Sequence, residues 1–235
     1  MKTLPIGVYL EIGKKRTFAG ALEWPGWCRS GRHEDAALDA LVDAAPRYVK
    51  ALGRRKVAGE FTAPARVSSL RVVERLKGNA TTDFGAPGIP PAADDRPLDD
   101  AETKRQIALL QACWAAFDRA AKAAVGKELR KGPRGGGREL DAIVSHVMGA
   151  DAVYLAQIGE RFPIRDDQKA TPELAAGLRS AIVEALWARV RGEPPGKPRR
   201  SGTHWPPRYF VRRSAWHALD HAWEIEDRAA PPGGA

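Results

Sequence analysis

His217 and His221 lie four apart in Ala215-Trp216-His217-Ala218-Leu219-Asp220-His221-Ala222-Trp223, and His146 stands far upstream in a second helix-like segment. In an α-helix, residues four apart share one face with Cβ atoms about 5–6 Å apart, near enough for two imidazoles to hold one ion. A third ligand must come from elsewhere, and His146 is the candidate. With metal–nitrogen bonds of about 2.0–2.1 Å, a borderline cation such as zinc accepts three histidines and keeps a fourth position for water or substrate. Against this, an i,i+4 histidine pair arises by chance on many helices, and a lone histidine more often packs or makes a hydrogen bond. Economy favours the metal: the chain has only five histidines, and three fall where two apolar helices could face one another. His33 and His204 sit among loop-like residues.

The elements that would carry these ligands are helical. From residue 99 onward the pattern has four helical segments, about 100–124, 138–158, 172–191 and 207–228, separated by Gly- and Pro-rich connectors at 132–137 and 192–206 and by the stretch 162–171. Pro172 and Pro207 fall at first-turn positions, where the missing amide hydrogen is tolerated. Bundles of four helices build metal sites by projecting ligands inward from facing helices. His146 passes that test, with Ile143, Val147, Ala150, Val153 and Tyr154 around it at helical spacing. On the last segment Phe210, Ala218, Leu219, Ala222 and Ile225 mark the packed side, which predicts His217 and His221 at the edge of a cleft rather than deep inside.

Upstream, 6–14 and 17–23 read as two antiparallel strands with Lys14-Lys15-Arg16 as the turn, followed by a short strand through Trp27 and Cys28. A helix is expected over 33–52, with Pro46 kinking or splitting it, and 67–76 closes the set as a strand. Residues 78–98, rich in Gly, Pro, Ala and Asp, read as a linker. Within it Asp83 and Phe84 are candidates to cover a pocket, because long irregular segments often act as lids; a plain connector is the other reading. The expectation is therefore an α+β chain in two domains: βββαβ at 1–77, the linker at 78–98, an all-α four-helix bundle at 99–229 and a flexible tail at 230–235.

At 235 residues, 43% hydrophobic and 29% charged, the chain has the composition of a globular protein. It carries no apolar run near the 18 or so residues that cross a bilayer and nothing like a signal peptide at its start, so a cytoplasmic protein without membrane contact is expected. Cys28 and Cys113 lie far apart and outside any Cys-x-x-Cys pattern, which predicts no disulfide. The net charge of +9 could favour anionic partners. Its basic runs at 54–56, 127–138 and 197–200 are scattered through turns, which argues against direct nucleic-acid binding. An exposed strand edge in the small domain would allow a homodimer.

The order strand, strand, strand, helix, strand, with the stretch from Phe18-Ala19-Gly20-Ala21 through Trp24-Pro25-Gly26-Trp27-Cys28 to Gly31, resembles the HicB-like antitoxin fold over about residues 4–77. In that family the domain neutralises an RNA-cleaving toxin, often beside a DNA-binding segment; no such segment accompanies it here. The arrangement of one histidine in the second helix and His-x-x-x-His in the fourth, with the motif Trp216-His217-Ala218-Leu219-Asp220-His221-Ala222-Trp223-Glu224, resembles the DinB/YfiT-like superfamily of metal-dependent four-helix bundles over about residues 99–229. That resemblance implies metal-ligand roles for His146, His217 and His221. It also implies a reaction class, since relatives include thiol transferases and isomerases that use a low-molecular-weight thiol such as mycothiol or bacillithiol.

If such a thiol binds, Arg208, Arg212 and Arg213 are its expected anchors, and Arg213, four before His217, lies on that histidine's face. The other reading leaves these arginines solvated or paired with acidic neighbours. Glu224, three after His221 and seven after His217, continues their stripe and is a candidate fourth ligand, hydrogen-bond partner or catalytic carboxylate, whereas Asp220 is rotated by one residue. Tyr154, eight after His146, is a candidate proton donor. The metal is expected to be divalent: zinc first, with nickel, iron, manganese or copper compatible. Two functions remain open at this point. One is a metal-dependent enzyme acting on a small-molecule substrate by thiol transfer or hydrolysis. The other is a binding or regulatory protein in which the HicB-like domain grips a protein or RNA and the metal stabilises the bundle.

Overall fold

The computed structural model describes residues 5–131, 137–165, 168–196 and 204–229; the expected tail at 230–235 and the basic run at 197–200 lie outside the described residues. The chain is α+β, a small mixed sheet followed by helices. Among the described residues no helix is long and apolar enough to cross a membrane.

Strands β1 (Ile6–Ile12) and β2 (Thr17–Ala21) form the expected antiparallel pair, running from Val8 opposite Ala21 to Ile12 opposite Thr17. Strand β3 (Cys28–Gly31) adds outside β2, and β4 (Leu70–Lys77) pairs parallel with β1, giving the order β3-β2-β1-β4. A parallel partner requires a crossover, and helices α1 (Glu34–Asp43) and α2 (Ala45–Leu52) lie on that path. The single helix expected over 33–52 is split at Ala44, which leaves Pro46 in the first turn of α2, where its missing amide is harmless.

Four long helices follow: α4 (Asp100–Ala124), α5 (Leu140–Gln157), α6 (Pro172–Val190) and α7 (Pro207–Ala229), each packed against the other three. Reciprocal hydrogen bonds between Asp99 and Glu102 start α4, and Thr171 Oγ1 accepts from Leu174 N to start α6. Side-chain acceptors at these positions satisfy amides that no helical carbonyl can reach.

The stretch read as a linker is fastened at two buried carboxylates. Glu11, fully buried on β1, accepts from the backbone nitrogens of Gly88 (2.9 Å) and Ile89 (3.0 Å) and from the Thr82 hydroxyl. Asp94 forms a fork-to-fork pair with Arg212 of α7, at 2.6 and 2.8 Å. Between them, Asp83 and Phe84 do not cover a pocket. They belong to the short helix α3 (Ala80–Phe84), in which Asp83 Oδ1 accepts from Lys15 N at 2.7 Å and closes the β1–β2 turn, and Phe84 points outward, 90% exposed.

Most buried apolar residues of sheet and helices fall in one continuous cluster, and Phe18, Cys28 and Trp216 form a smaller second one between β2, β3 and α7. Tyr48 on α2 donates its hydroxyl to Pro25 O, and Trp27 donates its indole N–H to Leu41 O, both at 2.8 Å. Gly26, at φ 92°, brings the β2–β3 turn against the helices: a Cβ there would stand 2.9 Å from Cys113 Sγ and 3.0 Å from Leu219 Cδ1. Only glycine fits that approach without strain. Helix α7 consequently has neighbours on nearly every side, with α4 and α5 on one flank and the sheet unit on the other. On the sheet side Trp216 meets Phe18 edge to face, and the guanidinium groups of Arg29 and Arg47 lie 4.9 and 5.1 Å from the Trp223 ring.

Candidate metal centre

The three histidines come together. Nε2 of His146 on α5 lies 3.2 Å from Nε2 of His217 on α7. One ring nitrogen from each of His146, His217 and His221 lies within 4.8 Å of the other two. Tetrahedral coordination with metal–nitrogen bonds of about 2.05 Å separates ligand nitrogens by about 3.3 Å. The His146–His217 spacing matches that value, and the donor set of three imidazoles suits a borderline divalent cation. The other two histidines have ordinary duties: His33 Nδ1 accepts from Ala36 N to cap α1, and His204 Nε2 meets Gly196 O.

His217 and His221 are buried and His146 half-buried, the reverse of the cleft-edge placement expected for the α7 pair. The rings of His146 and Tyr154 on α5 pack against His217, and that of His146 also against His221, which closes this flank of α7. Burial, reinforced by His221 and Arg138, lowers the His146 pKa against an opposing pull from Glu224. Burial with His221, Arg213 and His146 brings His217 down to about 2. Both rings are therefore neutral at neutral pH, the form whose lone pair binds a cation.

His221 is held from behind. Its Nδ1 lies 2.7 Å from Glu224 Oε2, and the other carboxylate oxygen of Glu224 accepts from Arg228 Nη1 at 2.8 Å. The hydrogen bond from His221 is the main reason that the Glu224 carboxyl sits below its usual range. With Nδ1 engaged, Nε2 is the nitrogen left to a cation, the relay commonly found behind ligand histidines. Both Glu224 oxygens are thus committed, and it orients His221. Arg228, four residues beyond Glu224, completes the relay; sequence reading missed it, although the i,i+4 spacing was available. Asp220 points instead to the sheet unit, 3.3 Å from Arg29 Nη1.

Beside the histidines lies a wall of aromatic rings and one arginine. The Tyr154 ring centroid is 5.8 Å from that of His217 and 5.3 Å from Trp205, which packs edge to face on Tyr209 at 4.8 Å. The Arg213 guanidinium lies 5.5 Å from the Tyr154 ring and 4.7 Å from the Trp216 ring, with Nη1 donating to Pro87 O at 2.8 Å. Burial raises the Tyr154 pKa against the pull of Arg213, so its hydroxyl keeps its proton and can donate it in a hydrogen bond.

Arg208 and Arg212 have other work. Arg208 is bonded to Arg96 O, Pro97 O and Glu102, and Arg212 to Asp94, Ala21 O and Leu22 O. Four residues apart, they share a face of α7 that turns to the 94–97 segment and the end of β2, whereas Arg213 is one step further round, on the histidine face. Of the three arginines expected to anchor a cofactor, Arg213 alone is in ring contact with the aromatic wall of this centre.

Neither cysteine is placed to act as a nucleophile. Cys28 and Cys113 are both buried and free, and burial pushes the Cys28 thiol up to about 12 and Cys113 higher. Comparison with protein-family models, curated proteins and solved structures gave no match to this chain.

Proposed function

We propose that the chain is a metal-dependent enzyme of the DinB/YfiT-like kind, with a divalent cation held by His146, His217 and His221 and a low-molecular-weight thiol or a water as the group it activates. The observation that carries this reading is the 3.2 Å approach of two neutral imidazole nitrogens, with a third histidine braced by Glu224 and Arg228. A cation bound there would lower the pKa of a coordinated thiol or water and so supply a nucleophile at neutral pH. Zinc suits the ligand set best, and nickel, iron and manganese are compatible.

The protein's own residues would divide the remaining tasks. Arg213 offers a fixed positive charge to a carboxylate or other anionic group on the cofactor or substrate. Tyr154 offers a hydroxyl proton to a developing negative charge on the leaving group. Trp205, Tyr209 and Trp216 present apolar surface that excludes bulk water and strengthens both interactions. Thiol transfer is favoured over reactions using a protein sulfur because both cysteines of the chain are buried and protonated.

The test is metal analysis of the purified protein followed by turnover with mycothiol or bacillithiol and an aryl halide, with an activated ester as the hydrolytic arm. About one equivalent of a divalent metal and turnover that vanishes in His146→Ala, His217→Ala and His221→Ala support the proposal. Turnover undiminished in the triple variant would overturn it.

A further inference from the structure

A cavity of about 570 Å³ opens between α4, α5 and α6, and Asp151 lies in its wall. Its volume is that of a small-molecule site. Phe117 of α4, Val144 and Val147 of α5 and Leu178 of α6 supply an apolar lining. Asp151 is only 3% exposed, and its two oxygens are treated differently by the fold. Oδ2 accepts the Trp114 indole N–H at 2.9 Å, whereas Oδ1 is buried without a hydrogen-bond partner.

A buried carboxylate with an unmatched oxygen is costly unless something pairs with it. Arg179 of this wall is already committed, making a two-point pair with Asp118 at 2.7 and 2.8 Å and lying over the Trp114 ring. That pair is neutral overall, and Lys122 and Asp141 line the cavity as well, so what sets Asp151 apart is the buried oxygen that lacks a hydrogen-bond partner. An anionic guest would be repelled by it, and a purely apolar guest would leave it unmatched.

We propose that this cavity is a ligand site for a small ammonium-bearing molecule with an alkyl or aryl body, its charge paired with the Asp151 carboxylate in the wall and its body on the apolar lining. Asp151 follows His146 by five residues on α5, a rotation of about 140°, so the cavity lies on another face of that helix and is separate from the histidine centre. Burial raises the carboxyl pKa to about 7, so at pH 8 the group is mostly ionised and able to pair with an ammonium ion.

Calorimetric titration at pH 8 with phenethylammonium chloride and with the uncharged 2-phenylethanol tests this. The ammonium ion is expected to bind saturably and at least about tenfold more tightly than the alcohol, a ratio worth about 1.4 kcal/mol. Asp151→Asn should abolish that preference, Ala175→Trp, which fills the cavity from α6, should abolish binding of both compounds, and His146→Ala should leave both titrations unchanged. Equal affinity for the two compounds, no heat with either, or binding that survives Ala175→Trp overturns the proposal. Circular dichroism establishes that each variant is folded, and if Asp151→Asn is not, the ammonium-to-alcohol ratio and Ala175→Trp decide alone.

Discussion

The Glu224 carboxylate lies 2.7 Å behind the Nδ1 of His221, so the ring that faces His146 and His217 is aimed by a group three residues along its own helix. Removing that brace with Glu224→Ala is expected to weaken metal affinity by about 10–100-fold without unfolding the protein. Glu224→Gln, which still offers an oxygen to Nδ1–H, should fall between the two. Competition with a chromogenic chelator measures the series, and an unchanged dissociation constant in Glu224→Ala would show that His221 needs no support.

Metal should also act as a stabilising ligand. A cation that binds only the folded chain adds about 2.7 kcal/mol at one hundred times its dissociation constant, which for a chain of this size corresponds to a rise in Tm of about 5–10 °C. The increment should disappear in His217→Ala and return to the apo value when chelator is added to the wild type. A zinc-dependent shift of equal size in His217→Ala would place the cation elsewhere.

The pair between Arg212 and Asp94 ties α7 to the segment ahead of α4, with both side chains buried and the guanidinium also bonded to Ala21 O and Leu22 O. Arg212→Met leaves Asp94 as an uncompensated buried charge and is expected to cost about 3–5 kcal/mol. Adding Asp94→Leu should recover part of the loss. A double variant no more stable than Arg212→Met would mean that the arginine's bonds to backbone carbonyls matter more than the ion pair.

Asp151 gives a pH signature. Its pKa rises from the ordinary 3.8 to about 7, mainly through burial, with Arg179 and the Trp114 hydrogen bond pulling the other way. Between those values the folded chain holds a proton that the unfolded chain releases, so the contribution of the neutral carboxyl is complete at low pH and is lost as pH climbs toward 7. At about 1.4 kcal/mol per unit this amounts to at most about 4 kcal/mol. Asp151→Asn never ionises, so its advantage in Tm over the wild type should be small near pH 4.5, grow through pH 7 and level off above. A difference that does not change with pH would mean the carboxyl titrates normally.

Much of this was readable in the chain itself. The helices begin and end within a few residues of where periodicity, Asp99, Pro172 and Pro207 placed them, because each signal acts locally on its own turn. The histidine cluster was readable for the same reason: two members ride one helical face, and the third lies on an apolar stripe. What escaped depends on contacts between distant segments. Nothing near Glu11 announces that its carboxylate will gather the amides of Gly88 and Ile89 some eighty residues later. Nor does the α7 pattern reveal that Phe18 and Cys28 will cover Trp216, or that His217 and His221 will be buried rather than at a cleft edge. Arg208 and Arg212 look identical to Arg213 in one dimension, and only the partner across the groove tells them apart.

Helix α7 is a shared wall, greasy on the side toward the sheet as well as toward its sister helices. Cutting the chain between Lys77 and Asp99 would strip Trp216 and Trp223 bare on one fragment and leave Phe18 and Cys28 uncovered on the other. Neither half is expected to persist as a soluble piece, because the helix that carries His217 and His221 would lose its cover over Trp216 and Trp223.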